Sequence, residues 1–295
     1  MPLTGDRPEV NLNAVIYATD FSLYSQNAGL YSAFMAKHFS AKLLVAHAFT
    51  LSQAALEVEI DGALVSQQRQ DLQLLLSQKA SALASGSFEA IPILLDGDPK
   101  HVLPRLADEY QPSLLVLGTH GGGWVEQKLI GSVAEKVLRS TRWPALTVGP
   151  QVQRLTSGRS PFHRILYATD LTAAAARAAV FAVSLAQAFG AEIDVLNVIE
   201  GGAVDHPDRL GEIRKRFYSA LDAVVPEDAK EFCDPRTFVA VGDAHEQILR
   251  HIKERSTDLL VLGIRKTSHL GMETRTSGAF RLIVDSQCPV LTVTG

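Results

Sequence analysis

Two kinds of segment alternate along this chain. Short runs of β-branched and aliphatic residues predict buried strands, and longer segments with apolar residues three and four positions apart predict helices. In the first half, the strand-like runs are Ala14–Ala18 and residues 42–49, 114–117 and 145–148. Strands that alternate with helices in this way are typical of βαβ units, whose strands form a parallel sheet.

Several helix ends are marked by residues that suit them. The first helix is predicted to begin near Ser22, and its counterpart in the second half to end at Gly190, because glycine favours the left-handed position beyond a helix C-terminus. A long second helix is predicted between residues 56 and 83, where leucines at positions 72, 75, 76 and 83 form an apolar stripe.

A further helix is predicted to start at Asp98 and Pro99, which suit the N-cap and the first helical position. The side chains expected to face inward from it are Val102, Leu103, Leu106 and Tyr110. Pro104 lies inside this segment, where a proline removes a backbone donor at a cost of about 3 kcal/mol. We therefore expect a kink or a later start of this helix.

The chain repeats itself as two whole domains. AVIYATDFS at 14–22 recurs as RILYATDLT at 164–172, and KLLVAHAF at 42–49 has a weaker echo in EIDVLNVI at 192–199. The first two pairs are 150 residues apart, and three later pairs are 145 residues apart. These are GDPKHVLPRLADEY at 97–110 with GDAHEQILRHIKER at 242–255, LLVLG at 114–118 with 259–263, and WPALTV at 143–148 with CPVLTV at 288–293. Residues 149–161 are rich in Gly, Ser, Pro and Gln, as in a linker. We predict domains at 1–150 and 162–295.

Each copy is predicted to be an α/β domain with an open five-stranded parallel sheet and helices on both faces. A chain of 295 residues is long enough for two such domains in tandem. In open α/β sheets, ligands bind beyond the carboxyl ends of the strands. The functional site is therefore expected at that edge of the sheet.

Composition excludes several classes of partner. The net charge of −4 gives no overall basic character for binding nucleic acid. No apolar run is long enough to span a membrane, and the start of the chain does not resemble a secretion signal, so we expect a cytoplasmic protein. Cys233 and Cys288 have no metal-binding spacing, and neither have the histidines, so we expect buried thiols and no metal site.

The sequence after the strand at 114–117 reads as a glycine-rich loop followed by a helix, GTHGGGWVEQKLIGSVAEKVLRS. Gly118 and Gly121 are expected to allow positive φ and a close approach of the backbone to a ligand. Gly131 and Ser132 are expected to open a helix whose N–H groups and dipole attract an anion. Ser132 and Glu135 also fit a capping box, so a capped helix that binds nothing is the alternative. The position at the mouth of the sheet favours anion binding.

The spacing of Gly118, Gly121 and Gly131-Ser132 resembles the G-x2-G-x9-G-[ST] motif of the universal stress protein family. YATD near the start, and SVAEKVL and WPALTV after the loop, are also similar to that family, and the resemblance covers both copies. It implies a Rossmann-like, adenine nucleotide alpha hydrolase-like fold. It also implies a bound adenine nucleotide, usually ATP, either alone or with Mg²⁺.

The resemblance assigns site residues in the first copy. It places the adenosine beside Thr19 and Asp20, the base near His47 and Ala48, and the phosphates and ribose at Gly118, Gly121, Gly131, Ser132 and the N–H of Val133. The residues themselves leave alternatives open, because an aspartate there often only caps the turn and a histidine at a strand end is often satisfied by packing. His120, inside the loop, is expected to be exposed to solvent.

The second copy departs from the motif. It has Gly263 and Ser277, but Lys266 and Thr276 bring a Cβ to positions where the first copy has glycine, and Phe280 replaces the capping-box glutamate. The degenerate second site comprises Thr169, Asp170, Gly263, Lys266 and Ser277. This copy is either a structural partner without ligand or a weaker site in which Lys266 contacts a phosphate.

The expected function is that of an ATP-binding regulatory protein of the stress response, with binding mainly in the N-terminal domain. A ligand-free interaction scaffold and a slow ATPase are the alternatives. There is no Walker A lysine loop, no Ser-His-Asp order and no paired carboxylates near the glycines, so we do not expect a dedicated enzyme. The resemblance also implies that the two copies pair through their last strands, at 145–148 and 290–293, which would satisfy two sheet edges. Formation of a homodimer is left open.

Overall fold

The computed structural model describes eight ranges of the chain, which are 10–50, 62–84, 88–120, 130–156, 160–200, 207–224, 235–264 and 278–294. The fold divides into two compact units, one built on residues 11–125 and 131–148 and the other on residues 149–295. Each unit is a parallel α/β domain, so the predicted fold class is confirmed.

The first unit has five parallel strands in the order β3-β2-β1-β4-β5. Its elements in chain order are β1 (Ala14–Ala18), α1 (Leu23–His38), β2 (Lys42–Phe49), α2 (Gly62–Leu83), β3 (Ala90–Asp96), α3 (Pro99–Glu109), β4 (Ser113–Gly118), α4 (Ser132–Ser140) and β5 (Ala145–Val148). The chain order reverses between β1 and β4, and in such sheets ligands bind where this reversal occurs.

The second unit repeats this order as β8-β7-β6-β9-β10, again with all strands parallel. Its elements are β6 (Arg164–Ala168), α5 (Ala173–Phe189), β7 (Glu192–Ile199), α6 (Pro207–Val224), β8 (Pro235–Val241), α7 (Ala244–Arg255), β9 (Leu259–Ile264), α8 (Gly278–Asp285) and β10 (Val290–Thr294). Within the described ranges, no helix combines the length and apolar character needed to cross a membrane.

Three predicted helix ends are confirmed. Ser22 is the N-cap of α1 and accepts a hydrogen bond from the Ser25 N–H, while Gly190 ends α5 with a φ of 62°. Asp98 is the N-cap of α3 and accepts a hydrogen bond from the Lys100 N–H. Short polar caps and a left-handed glycine thus define these ends by local chemistry alone.

The expected late start of this helix is wrong, and the alternative, a kink at Pro104, stays a prediction. Helix α3 begins at Pro99 and continues through Pro104 to Glu109. A proline at 104 cannot donate to the carbonyl of residue 100, four positions earlier. The Ser140 hydroxyl of α4 lies 2.9 Å from that Lys100 carbonyl and 2.9 Å from the Lys136 carbonyl of its own helix, so its single proton is shared between these acceptors.

The inward face of α3 also differs from the prediction in part. Leu103 and Leu106 are buried as expected, together with Ala107. Val102 and Tyr110 are only half-buried. The helix therefore packs on a narrower apolar stripe than the sequence suggests.

The expectation of a buried thiol is confirmed for Cys288, and Cys233 lies outside the described residues. Burial raises the pKa of the Cys288 thiol to about 12. We expect Cys288, in a Cys233→Ser variant, to resist 5,5′-dithiobis(2-nitrobenzoate) at pH 8, because the reactive thiolate does not form. One thiol per chain should react after unfolding in guanidinium chloride. Rapid reaction of the folded variant would contradict this expectation.

Candidate functional site

The turn after β1 carries the first predicted site residues. The Asp20 carboxylate accepts hydrogen bonds from the Ser22 N–H at 3.0 Å and the Ser22 hydroxyl at 2.6 Å, so the turn-capping interpretation of Asp20 is confirmed. Phe21 has a φ of 64°, and its N–H donates to the Thr19 hydroxyl oxygen at 3.0 Å. A non-glycine residue in this conformation stores about 1–2 kcal/mol of strain.

The second unit has the same strained turn. Leu171 has a φ of 60° and donates from its N–H to the Thr169 hydroxyl, while Asp170 accepts from both the N–H and the hydroxyl of Thr172. No local pattern predicts this conformation, because phenylalanine and leucine are not residues that favour positive φ. The strain therefore belongs to the turn itself and is present in both units.

The Thr19 side chain is almost completely buried, and its hydroxyl contacts the Ser25 hydroxyl at 3.2 Å. The Tyr17 hydroxyl donates to the Ser25 carbonyl at 2.8 Å, and burial raises the pKa of Tyr17. These bonds fix the start of α1 against the end of β1. Thr19 thus stabilises the turn beside the site through the hydrogen bonds of its hydroxyl group.

The His47 side chain is held by the same turn. Its Nδ1 lies 2.8 Å from the Thr19 carbonyl, which can only accept, so Nδ1 carries the proton. Its ring lies against Phe21 with 4.6 Å between ring centroids. In the second unit Asn197 makes the equivalent bond to the Thr169 carbonyl at 2.8 Å. The interpretation of His47 as satisfied by packing therefore agrees with the structure.

Gly118, at the end of β4, is a glycine for a different reason than predicted. Its φ is not positive. Among the described glycines, positive φ occurs at Gly97, Gly190 and Gly242. A Cβ on Gly118 would lie 3.3 Å from the Ser25 Cα and 3.4 Å from the Tyr24 carbonyl oxygen. Gly118 therefore permits the close approach of α1 to the strand end. Gly121, the second glycine of the predicted loop, lies outside the described residues.

The capping-box alternative for Ser132 is wrong. Gly131 is the N-cap of α4, no side chain among the described residues caps this helix, and Ser132 is the first helical residue. Glu135 instead accepts a hydrogen bond from Arg139 at 3.1 Å. The Gly131 N–H donates to the Thr119 carbonyl at 2.7 Å, which joins the helix start to the end of β4. Within the part of the chain that the structure describes, the first turn of α4 is therefore left without a capping side chain for its N–H groups.

These elements surround one cavity of about 390 Å³, within the usual size range of small-molecule sites. All the predicted first-site residues that the structure describes line it, namely Thr19, Asp20, His47, Ala48, Gly118, Gly131, Ser132 and Val133. The residues that sequence analysis missed are Ala18, Ser25, Ala46, Pro99, Leu103, Leu117, Thr119, His120 and Ala134. Four of these nine, Ala18, Leu117, Thr119 and His120, lie at or just beyond a strand end, where position at that edge of the sheet was the available signal.

The charge of the cavity is carried by few groups. Among the described lining residues, the ionisable side chains are Asp20, His47 and His120, with no lysine or arginine. His120 is half-buried rather than exposed as expected, and its Nδ1 lies 2.8 Å from the Thr119 hydroxyl. An anion in this part of the cavity would thus be stabilised chiefly by backbone N–H groups and by the dipole of α4.

The second predicted site is described only in part. Thr169, Asp170 and Gly263 lie at the ends of β6 and β9, in the same arrangement as their counterparts. Lys266 and Ser277 lie outside the described residues. Within the residues that the structure describes, no group of three or more His, Cys, Asp or Glu side chains could hold a metal ion.

Comparison with known proteins gives a consistent match. The sequence profile of the universal stress protein family matches residues 12–149 and 161–294. A universal stress protein of Methanocaldococcus jannaschii is 26% identical over 136 residues, which cover 45% of this chain and 80% of that protein. One from Bacillus subtilis is 28% identical over 146 residues, covering 45% of this chain and 99% of that protein.

A solved structure shows the same fold. The crystal structure of a universal stress protein from Archaeoglobus fulgidus matches with a TM-score of 0.75 at 21% identity, and covers 97% of this chain and 99% of that chain. The two sequence relatives each match about half of the present chain. This agrees with the repeat seen in the sequence.

Proposed function

This chain belongs to the universal stress protein family, and on that premise we propose that its first unit binds an adenine nucleotide, ATP or a close relative, as part of a stress-response regulator. The observation that carries the proposal is the uncapped start of α4, which opens into the cavity at the strand ends. Helix N-termini of this kind bind phosphate through their N–H groups and dipole.

The cavity suggests how such a ligand is oriented. The phosphates would lie at Gly131, Ser132 and Val133, where the helix begins. The adenosine would lie toward Asp20 and Ala48, at the ends of β1 and β2. Mg²⁺ would enter with the phosphates of ATP, and would add positive charge where the described lining has no lysine or arginine.

Two alternatives predict different behaviour. A ligand-free scaffold does not require a cavity at the strand ends or an uncapped helix facing it. A slow ATPase requires a base beside an attacking water, and Asp20, His47 and His120 are the described candidates. Pairing of the two domains, homodimer formation and a cytoplasmic location stay predictions.

Mass spectrometry of the freshly purified, denatured protein tests the proposal directly. We expect the denatured protein to release up to one equivalent of ATP, ADP or AMP per chain. We also expect calorimetry with ATP to show binding. Release of inorganic phosphate over hours would separate a slow ATPase from a binding protein. If no adenine nucleotide copurifies and none binds in calorimetry, the proposed function is wrong.

Ser132→Ala is expected to weaken ATP binding about tenfold, because a hydrogen bond to a charged group contributes about 1.5 kcal/mol. Thermal stability should change little, since Ser132 does not cap the helix. Ser140→Ala, at the other end of α4, is the matched control. It removes the bond to the Lys100 carbonyl and should reduce stability with unchanged ATP affinity. An equal loss of ATP affinity in both variants would contradict a phosphate contact at Ser132.

A further inference from the structure

Two alanines on β2 form part of the cavity floor. Ala46 and Ala48 are two positions apart on the strand and therefore point to the same face of the sheet. Pro99 and Leu103 of α3 line the cavity together with them. Small side chains at positions 46 and 48 thus leave space between β2 and α3.

The corresponding positions of the second unit can be identified from backbone bonds. The Thr19 N–H donates to the Ala46 carbonyl at 2.9 Å, and the Thr169 N–H donates to the Leu196 carbonyl at 2.9 Å. Strands β1 and β2 also pair in the same register as β6 and β7. Leu196 therefore stands in the place of Ala46, and Val198 in the place of Ala48.

These larger side chains point toward α7, the counterpart of α3. Asp194, on the same face of β7, bonds to His251 at 3.0 Å and to Arg255 at 3.1 Å, and both partners belong to α7. By strand alternation, Leu196 and Val198 project from that face too. Leu196 is only 1% exposed.

On the helix side, Ala244 stands in the place of Pro99 and has two fewer side-chain carbon atoms, but the central position does not become smaller. Helix α3 has Leu103 facing the sheet, and α7 has Ile248 at the corresponding position; both are buried and have the same number of carbon atoms. Leu196 has three more carbon atoms than Ala46, and Val198 has two more than Ala48. Across these four positions the second unit therefore has three more side-chain carbon atoms than the first, and the gain lies on the strand.

We propose that Ala46 and Ala48 determine which unit can hold a nucleotide, and that Leu196 and Val198 close the corresponding cavity of the second unit. The inference rests on the proposed adenine-nucleotide function of the first unit. It differs from an explanation by the degenerate glycine motif, since loss of a phosphate loop alone would leave room for a nucleoside. A closed cavity excludes the nucleoside as well.

Equilibrium dialysis of the wild-type chain against radiolabelled ATP and, separately, radiolabelled adenosine distinguishes these explanations. We expect saturation at one ATP and at no more than one adenosine per chain. Saturation at two adenosines per chain would overturn the inference, because the second unit would then still possess an open nucleoside pocket. Adenosine is the informative probe because it makes no phosphate contacts.

The double variant Ala46→Leu/Ala48→Val transfers the second unit's residues to the first. ATP affinity is expected to fall at least 100-fold, with circular dichroism and thermal stability close to wild type, because the same fold carries these residues at the same positions in its second unit. Val198→Ala is the matched control and should leave ATP affinity within about twofold of wild type. If the double variant does not fold, Ala48→Val alone changes a half-buried position and should still weaken ATP binding at least tenfold.

The outcomes separate the inference from the function on which it rests. Wild-type ATP affinity in a folded double variant would overturn the inference and leave the proposed function intact. Absence of ATP binding by the wild-type chain would overturn both.

Discussion

Replacing Asp194 with alanine is expected to lower the free energy of unfolding of the second unit by about 3 kcal/mol. Its carboxylate is completely buried and accepts hydrogen bonds from His251 at 3.0 Å and Arg255 at 3.1 Å, both to the same oxygen. The substitution leaves both donors without their acceptor, and breaking a buried ion pair by removing one partner typically costs about 3–5 kcal/mol. Because Arg255 is partly exposed, we expect the loss of unfolding free energy to lie at the lower end of this range.

The unfolding of the two units can be followed separately. Both tryptophans lie in the first half of the chain, so their fluorescence reports on that half, whereas far-ultraviolet circular dichroism reports on both. In a denaturant titration of Asp194→Ala, an early dichroism transition should precede the change in fluorescence. Coincident transitions at the wild-type midpoint would contradict a stabilising role for this carboxylate.

The first unit supplies the matched control. The positions of Asp194, His251 and Arg255 are held there by Leu44, Leu106 and Tyr110, and the same fold forms around them. One carboxylate oxygen of Asp194 and one guanidinium nitrogen of Arg255 are buried and have no hydrogen-bond partner among the described residues. Because an incompletely satisfied ionic cluster can be replaced by apolar residues at no loss, Asp194→Leu/His251→Leu/Arg255→Tyr should be at least as stable as wild type. A triple variant as unstable as Asp194→Ala would contradict this.

The cluster also predicts a dependence on pH. Burial acts to raise the pKa of Asp194, but the hydrogen bonds from His251 and Arg255 outweigh it, so this pKa lies below the usual value of 3.8. A carboxyl whose pKa is lowered by folding stabilises the protein above its unfolded pKa, and this stabilisation is lost as the pH falls through its folded pKa. Wild-type protein should therefore lose its stability advantage over Asp194→Ala below about pH 4.

Replacing Gly118 with valine is expected to reduce ATP affinity at least 100-fold. The new Cβ would contact backbone atoms of Ser25 and Tyr24 at 3.3 and 3.4 Å, and backbone cannot rotate away as a side-chain end can. The remaining methyl groups would push the start of α1 away from β4 and distort the cavity, at a stability cost of about 1–3 kcal/mol. Calorimetry with ATP and thermal unfolding measure the two effects.

Gly211→Val is the control for this substitution. Gly211 lies in α6, and a Cβ built there meets nothing within 4 Å. It should therefore change neither ATP affinity nor thermal stability by much. A Gly118→Val chain that binds ATP as wild type does would show that close packing at this strand end is not required for binding.

Much of the fold follows from local sequence patterns. Four strands of the first half, the caps at Ser22 and Asp98 and the end of α5 at Gly190 each depend on a few neighbouring residues and were predicted, whereas β3 was not located. The internal repeat then predicted the same parallel sheet in both halves of the chain. The grouping of the candidate site also followed, because strand ends in a parallel sheet meet at one edge.

What could not be predicted depends on contacts between distant parts of the chain. The Lys100 carbonyl, which Pro104 cannot bond, lies beside the Ser140 hydroxyl of another helix, and the glycine at 118 is needed for contact with α1. Asp194 interrupts an apolar strand, and nothing near it in sequence identifies its partners on α7. Such pairings become visible only when the sheet and its covering helices are assembled.

The strained turn shared by Phe21 and Leu171 has a historical consequence. Two halves that keep the same unfavourable backbone angle, supported by the same threonine and aspartate, inherited it from a single ancestral domain. The turn is accordingly older than the duplication.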